Sequence, residues 1–233
     1  MMEKYERWMT RYGRIYEDSD EQHRRFQIFK HNVALVEAFN AVENKSFNVN
    51  INQFADLTQE EFKKYYLGAR LPSQSSLNNV QTLNYENIID LPPSINWKAA
   101  GAVTGIKNQG QCEYNYPYQE KKQYCANWRA YQIAALMRQP VVVIIDAYNS
   151  GFMLYNEGVF DGKLPDGRQS CTTDNTNHVV LVIGYGTDPY GRDYFLIKNS
   201  WGTLWGEGGY ARLLRVGGVG ICGITKWPSI PLV

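Results

Sequence analysis

No apolar run in this 233-residue chain approaches the roughly 18 residues that a membrane-spanning helix needs. Even Val141-Val142-Val143-Ile144-Ile145 stops at Asp146. There is no charge of one sign to spare: 24 basic against 23 acidic side chains leave a formal +1, which excludes a nucleic-acid or acidic-membrane partner recognised by bulk charge. Metal-ligand spacing and a phosphate-binding glycine loop are both missing, so no metal and no organic cofactor is expected. The first residues, Met1-Met2-Glu3-Lys4-Tyr5-Glu6-Arg7-Trp8, hold no basic stretch leading into an apolar core, so no secretory leader is readable and the chain as written stays in the cytosol. Cysteine is sparse: Cys112, Cys125, Cys171 and Cys222 are too few to define a disulfide scaffold by count alone. What is present is enough apolar material, 44% of residues, for a globular core.

Two regions differ in periodicity. From Glu3 to Leu67, Trp8, Tyr12, Phe26, Phe29, Val33, Val36 and Phe39 recur at steps of three and four, which predicts helices. Gly13 ends the first, Asp18 or Ser19 caps a second, and Thr58-Gln59-Glu60-Glu61 has capping-box spacing for a third that Gly68 ends. Between them Phe47 to Ile51 alternates as a short strand. Residues 68–90 lack a period and read as a polar linker. Beyond it, Val141–Asp146, His178–Tyr185, Tyr194–Asn199 and Tyr210–Leu214 are β-type runs between glycine-rich turns, and Ala126–Met137 reads as a helix ending before Pro140. The expected class is α+β: a helical segment at 3–67, then a β-rich, mostly antiparallel region within 91–233.

Glu21, Arg25, Phe29, Asn32, Val36 and Asn40 fall at spacings of four, four, three, four and four, one stripe of a helix on which Glu21 and Arg25 can pair. Together with Asn52, Phe54 and Asp56 they resemble the inhibitory propeptide of papain-like cysteine proteases, with Asn50 where that family usually has glycine. Further on, Asn177-His178-Val179-Val180, Lys198-Asn199-Ser200-Trp201-Gly202 and Trp205-Gly206-Glu207-Gly208-Gly209-Tyr210 resemble the segments that present the family's catalytic histidine and asparagine. Trp97, Gly101, Ala102, Val103 and Asn108-Gln109-Gly110-Gln111-Cys112 resemble the start of its mature enzyme. The resemblance implies a plant-type protease precursor acting on peptides or proteins as a monomer, in a lysosome, vacuole or extracellular space. In it His178 serves as base then acid, Asn199 orients the imidazole, and Gln109 donates to the developing oxyanion. It places Ile144, Val179 and Trp227 in the apolar substrate pocket, makes Trp201 the shield of the histidine–asparagine bond, and pairs Cys171 with Cys222.

The pattern breaks where the nucleophile belongs. The family continues from the equivalent of Cys112 into Gly-Ser-Cys-Trp; here Glu113-Tyr114-Asn115-Tyr116-Pro117 follows. The histidine and asparagine of that family lie about 130–150 residues past the nucleophile. His178 and Asn199 follow Cys112 by only 66 and 87 residues (178 − 112 and 199 − 112). Glu113 opposes a thiolate at Cys112, and Pro117 breaks any helix that would help to activate it. The helical half of the fold is therefore expected to be largely missing, the β-rich half to expose apolar surface unless the N-terminal segment covers it, and peptidase activity to be absent. Two other outcomes stay open from sequence: an inhibitor of related cysteine proteases working through its propeptide, or a splice or gene-prediction product without function.

Overall fold

A computed structural model of the chain describes residues 1–69, 92–110 and 136–228. The N-terminal segment opens with helix α1 (Met2–Tyr12), which ends where Gly13 takes a left-handed conformation (φ 62°) and turns its N–H back onto Met9 and Thr10. Helix α2 (Ser19–Ala41) starts at Asp18, whose side chain accepts from the Glu21 N–H at 2.7 Å. It buries Phe29, Asn32, Val33, Val36 and Phe39. Strand β1 (Phe47–Val49) follows, then α3 (Gln59–Tyr66), whose capping box is complete: the Thr58 hydroxyl accepts from Glu61 N–H and the Glu61 carboxylate from Thr58 N–H. The helix stops at Tyr66, ahead of Gly68 as expected, and the Gly68 and Ala69 N–H groups leave the helical ladder and donate to the Asn177 carbonyl at 3.1 and 3.0 Å.

The β-rich region contains β2 (Ile95–Asn96), β3 (Val141–Ile145), a single turn of helix α4 (Ser150–Met153), β4 (Tyr155–Phe160), β5 (His178–Thr187), β6 (Asp193–Lys198), β7 (Tyr210–Leu214) and a 3₁₀ turn at Ile221–Gly223. Its sheet runs β1-β4-β7-β6-β5-β2, with β3 also on β5, and every pairing is antiparallel except β4 with β7. The mixed α+β architecture expected from periodicity is thus present, including a mostly antiparallel sheet. Strand β4 was not anticipated, since Tyr155-Asn156-Glu157-Gly158-Val159-Phe160 alternates poorly and carries a glycine. That glycine is what lets β1 join: a Cβ on Gly158 would stand 2.6 Å from the Phe47 Cα. Cys112, Cys125 and nearly all of both the predicted helix at 126–137 and the linker lie outside the described residues.

Packing makes the N-terminal segment part of the β-rich core. Val36, Phe39, Phe47, Val49, Phe54, Phe62 and Tyr66 sit in one apolar cluster with Phe152, Phe160, Trp201 and Trp205. A second, smaller cluster of Tyr5, Trp8, Phe29, Val33 and Ala55 is internal to the segment. Polar side chains fix the docking. Asn40 pairs with Val49 through both its amide and its carbonyl, imitating a strand neighbour, while Asn32 Nδ2 ties the Ala55 and Leu57 carbonyls to α2. Asn52 Nδ2 donates to the Met153 carbonyl and Gln53 Nε2 to that of Trp201. Glu21 bonds both Arg24 and Arg25, and both arginines reach Glu61, joining α2 to α3. Those guanidinium bonds hold the Glu21 carboxyl down to about 2. Cys171 and Cys222 form a disulfide across 51 residues, as the resemblance implies.

Candidate active site

His178 begins β5 and Asn199 directly follows β6, so the antiparallel register of those strands brings their side chains to one end of the sheet. His178 Nε2 lies 2.8 Å from Asn199 Oδ1. The same oxygen accepts the Ser200 N–H at 2.8 Å, which fixes the amide's orientation and makes the imidazole Nε2 the donor. The tautomer follows: Nδ1 is the ring atom able to accept a proton. Trp201 stacks on the imidazole, ring centroids 4.4 Å apart, and is itself buried. Burial lowers the His178 pKa to about 4, against the Asn199 hydrogen bond that favours the charged ring. The ring is therefore neutral near pH 7.

Gln109 is held beside this pair. Its N–H donates to the Ser200 carbonyl at 2.8 Å, its Oε1 accepts from Ser200 Oγ at 2.5 Å, and its Nε2 donates to the Tyr66 carbonyl at 3.3 Å. Asn108 bridges to Trp201 across the same contact. The side-chain amide proposed from sequence as an oxyanion donor thus points at backbone of the N-terminal segment. Ile144 and Val179 are directly opposed in the β3–β5 register and so share one face of the sheet. Val179 is exposed (45%) although apolar, whereas Ile144 is buried. Trp227 is half-buried, with an indole N–H unpartnered among the described residues.

Sequence reasoning missed what steadies the histidine segment. Asp146, buried at the end of β3, accepts from Asn177 Nδ2 (2.7 Å), Tyr148 N–H (3.1 Å), Thr172 N–H (2.8 Å) and the Thr172 hydroxyl (3.1 Å). Asn177 returns a bond by accepting from Ala147 N–H at 2.9 Å. One carboxylate therefore organises the loop before His178, the residue after the disulfide at Cys171, and Tyr148, whose hydroxyl reaches Glu60 of α3 at 3.2 Å. The signal was in the sequence: a lone charge terminating a five-residue apolar run has to be satisfied where it is buried. Asp146→Asn is expected to cost about 1–3 kcal/mol, since it removes an acceptor and leaves buried donors unpaired. Urea unfolding of the variant checks this; a loss below a few tenths of that range would remove Asp146 from the role.

Comparison with known proteins accords with this geometry. Residues 113–232 match the model of the papain family cysteine proteases and residues 5–62 that of the cathepsin propeptide inhibitor domain. Fruit bromelain of Ananas comosus is 33% identical over 99% of this chain and 86% of its own length. Its alignment spans 313 positions, against 233 residues here. Among solved structures, a recombinant stem bromelain precursor superposes with a TM-score of 0.80 at 31% identity, covering 98% of this chain and 97% of its own. Digestive procathepsin L2 of Tenebrio molitor larval midgut does so at 0.80 and 25% identity, covering 100% and 99%. The chain belongs to the papain family of cysteine proteases, carries that family's inhibitory propeptide, and at 233 residues is shorter than the 313 positions over which it aligns with fruit bromelain.

Proposed function

We propose that this chain is a precursor-form papain-type protein that holds its histidine–asparagine pair under its own propeptide and does not hydrolyse peptides. The observation that carries this is the pairing of a formed His178–Asn199 unit with a sequence that has no Gly-Ser-Cys-Trp after Cys112. A thiolate attacking a carbonyl needs a thiol within reach of His178 Nδ1. With Cys171 and Cys222 joined, only Cys112 and Cys125 remain as thiols. Neither has the surrounding sequence that activates one. In a complete site, His178 would take the thiol proton and return it to the leaving amine, Asn199 would orient the ring, and Gln109 would donate to the oxyanion. Ile144, Val179 and Trp227 would line the apolar substrate pocket. The propeptide occupies 3–67, a linker 68–90, and the incomplete peptidase region 91–233. The Cys171–Cys222 disulfide supports an oxidising compartment, vacuolar or extracellular, for the folded chain.

The test uses the purified full chain, acidified and reduced to release the propeptide, with a fluorogenic dipeptide substrate and a thiol-reactive epoxide. No turnover and no covalent label are expected from a sample that circular dichroism shows to be folded. Turnover abolished by labelling of Cys112 would overturn the proposal. The separate apolar cluster of Tyr5, Trp8, Phe29, Val33 and Ala55 favours a second reading, inhibition of related cysteine proteases, because the propeptide carries part of its own core. Failure of the full chain to slow an active papain-type enzyme at micromolar concentration would exclude it.

A further inference from the structure

The turn between α2 and β1 holds a chemical group that neither catalysis nor autoinhibition uses. Asn44-Lys45-Ser46 is the sole Asn-x-Ser/Thr triplet in the 233 residues. Asn44 is exposed and adopts a left-handed conformation (φ 57°), one of two non-glycine residues with positive φ among the described residues. No hydrogen bond among the described residues engages its side-chain amide. The turn is nonetheless fixed, because the Lys45 ammonium donates to the Asn40 and Val42 carbonyls at 2.6 and 2.9 Å and so closes the C-terminal end of α2. We propose that Asn44 is an N-glycosylation site that carries an oligosaccharide when the chain is made in the secretory pathway.

Two independent observations converge on it. The disulfide between Cys171 and Cys222 assigns the folded chain to an oxidising lumen, where oligosaccharide transfer takes place. The exposed amide leaves space for a bulky polar group without displacing a packed side chain.

The position of Ser46 dictates when the modification happens. Its hydroxyl is buried and unpartnered among the described residues. A transferase that reads the hydroxyl must therefore act before this turn packs against β4. The co-reactant is an oligosaccharide linked to a polyisoprenyl diphosphate. Asn44 Nδ2 attacks the anomeric carbon; the C–N bond forms as the C–O bond to the diphosphate breaks. The lipid diphosphate departs with the electron pair, and the amide proton passes to a base of the transferase.

The experiment is cell-free synthesis of the full chain behind a cleavable secretion leader, in the presence of microsomes, with the fraction sheltered from added protease taken for mass analysis. The sheltered chain is expected to carry one oligosaccharide, removed by peptide N-glycosidase and lost in both Asn44→Gln and Ser46→Ala. Because transfer precedes folding, the stability of either variant does not enter the result. A sheltered wild-type chain left bare at Asn44, or a glycan that survives Asn44→Gln, would overturn the proposal.

Discussion

Trp201→Ala is expected to destabilise the protein by about 3–5 kcal/mol, the range for removing a large buried aromatic side chain. A domain of this kind has about 5–15 kcal/mol in total, so the variant should stand at or near the unfolding threshold. The magnitude follows from what the indole touches. It is 1% exposed, and its ring meets Phe54 and Phe62 of the propeptide edge-on at 5.6 and 5.0 Å. Phe152 and Trp205 of the β-rich region meet it in the same way at 5.7 and 5.2 Å, and its face covers His178. Each edge-to-face contact adds to simple area burial. Because the side chain belongs to both regions at once, its removal should loosen the propeptide and the sheet together. The indole N–H has no partner among the described residues, so truncation orphans no acceptor and the loss is one of packing. Trp201→Phe, which keeps an aromatic face, should lose markedly less. Urea unfolding of both variants measures the difference. A loss under about 1 kcal/mol for the alanine variant would mean that the propeptide does not share the core in solution.

The same residue shows how far the sequence could be read. Trp201 was recognisable from its place in Lys198-Asn199-Ser200-Trp201-Gly202, and its shielding of the histidine followed from the resemblance. Its contacts with Phe54 and Phe62 did not, because they join positions about 140 residues apart and periodicity reports only local structure. Caps were legible for the opposite reason. Gly13, Asp18 and Thr58 act on backbone within four residues of themselves, and each does so as expected. The stop of α3 before Gly68 was legible too, but not the non-local partner, the Asn177 carbonyl, that captures the Gly68 N–H. Strand β4 was invisible because its glycine exists to admit β1, a tertiary demand that interrupts alternation. The strand pair at β3 and β5 was legible as two apolar runs, but the buried Asp146 network was not. Which donors would satisfy that carboxylate depended on how the loops before Thr172 and Asn177 return to it.

Stability should fall as pH drops from about 6.5 toward 4, and His178 should account for about 3 kcal/mol of that loss. The sign follows from the direction of the shift. In the folded chain, burial beneath Trp201 lowers the imidazole to about 4, from 6.5 when solvated. Above the solvated value both states are neutral and the contribution is whole. Between the two values the unfolded chain binds a proton that the folded chain refuses, so acid favours unfolding. Below the folded value both are charged and the contribution is gone. Glu21, held down to about 2 by Arg24 and Arg25, keeps its contribution above 4.5 and loses it as pH falls from there toward 2, so it enters only at the acid end of this window. Asp56 acts with the opposite sign, because burial raises it despite Arg14, Tyr16 and Arg25, and its folded form gains protons as pH falls. His178→Gln isolates the effect: its urea midpoint should be nearly flat over the interval in which the wild-type midpoint declines. Unfolding need not be global. The Gly68 and Ala69 amides donate to the carbonyl of the residue next to His178, so they report whether acid opens the propeptide first. If hydrogen exchange at those two positions accelerates in acid before the sheet amides do, protonation of a buried imidazole is coupled to release of the strap above it. Equal acid sensitivity in the wild type and His178→Gln would assign the pH dependence to the carboxylates instead.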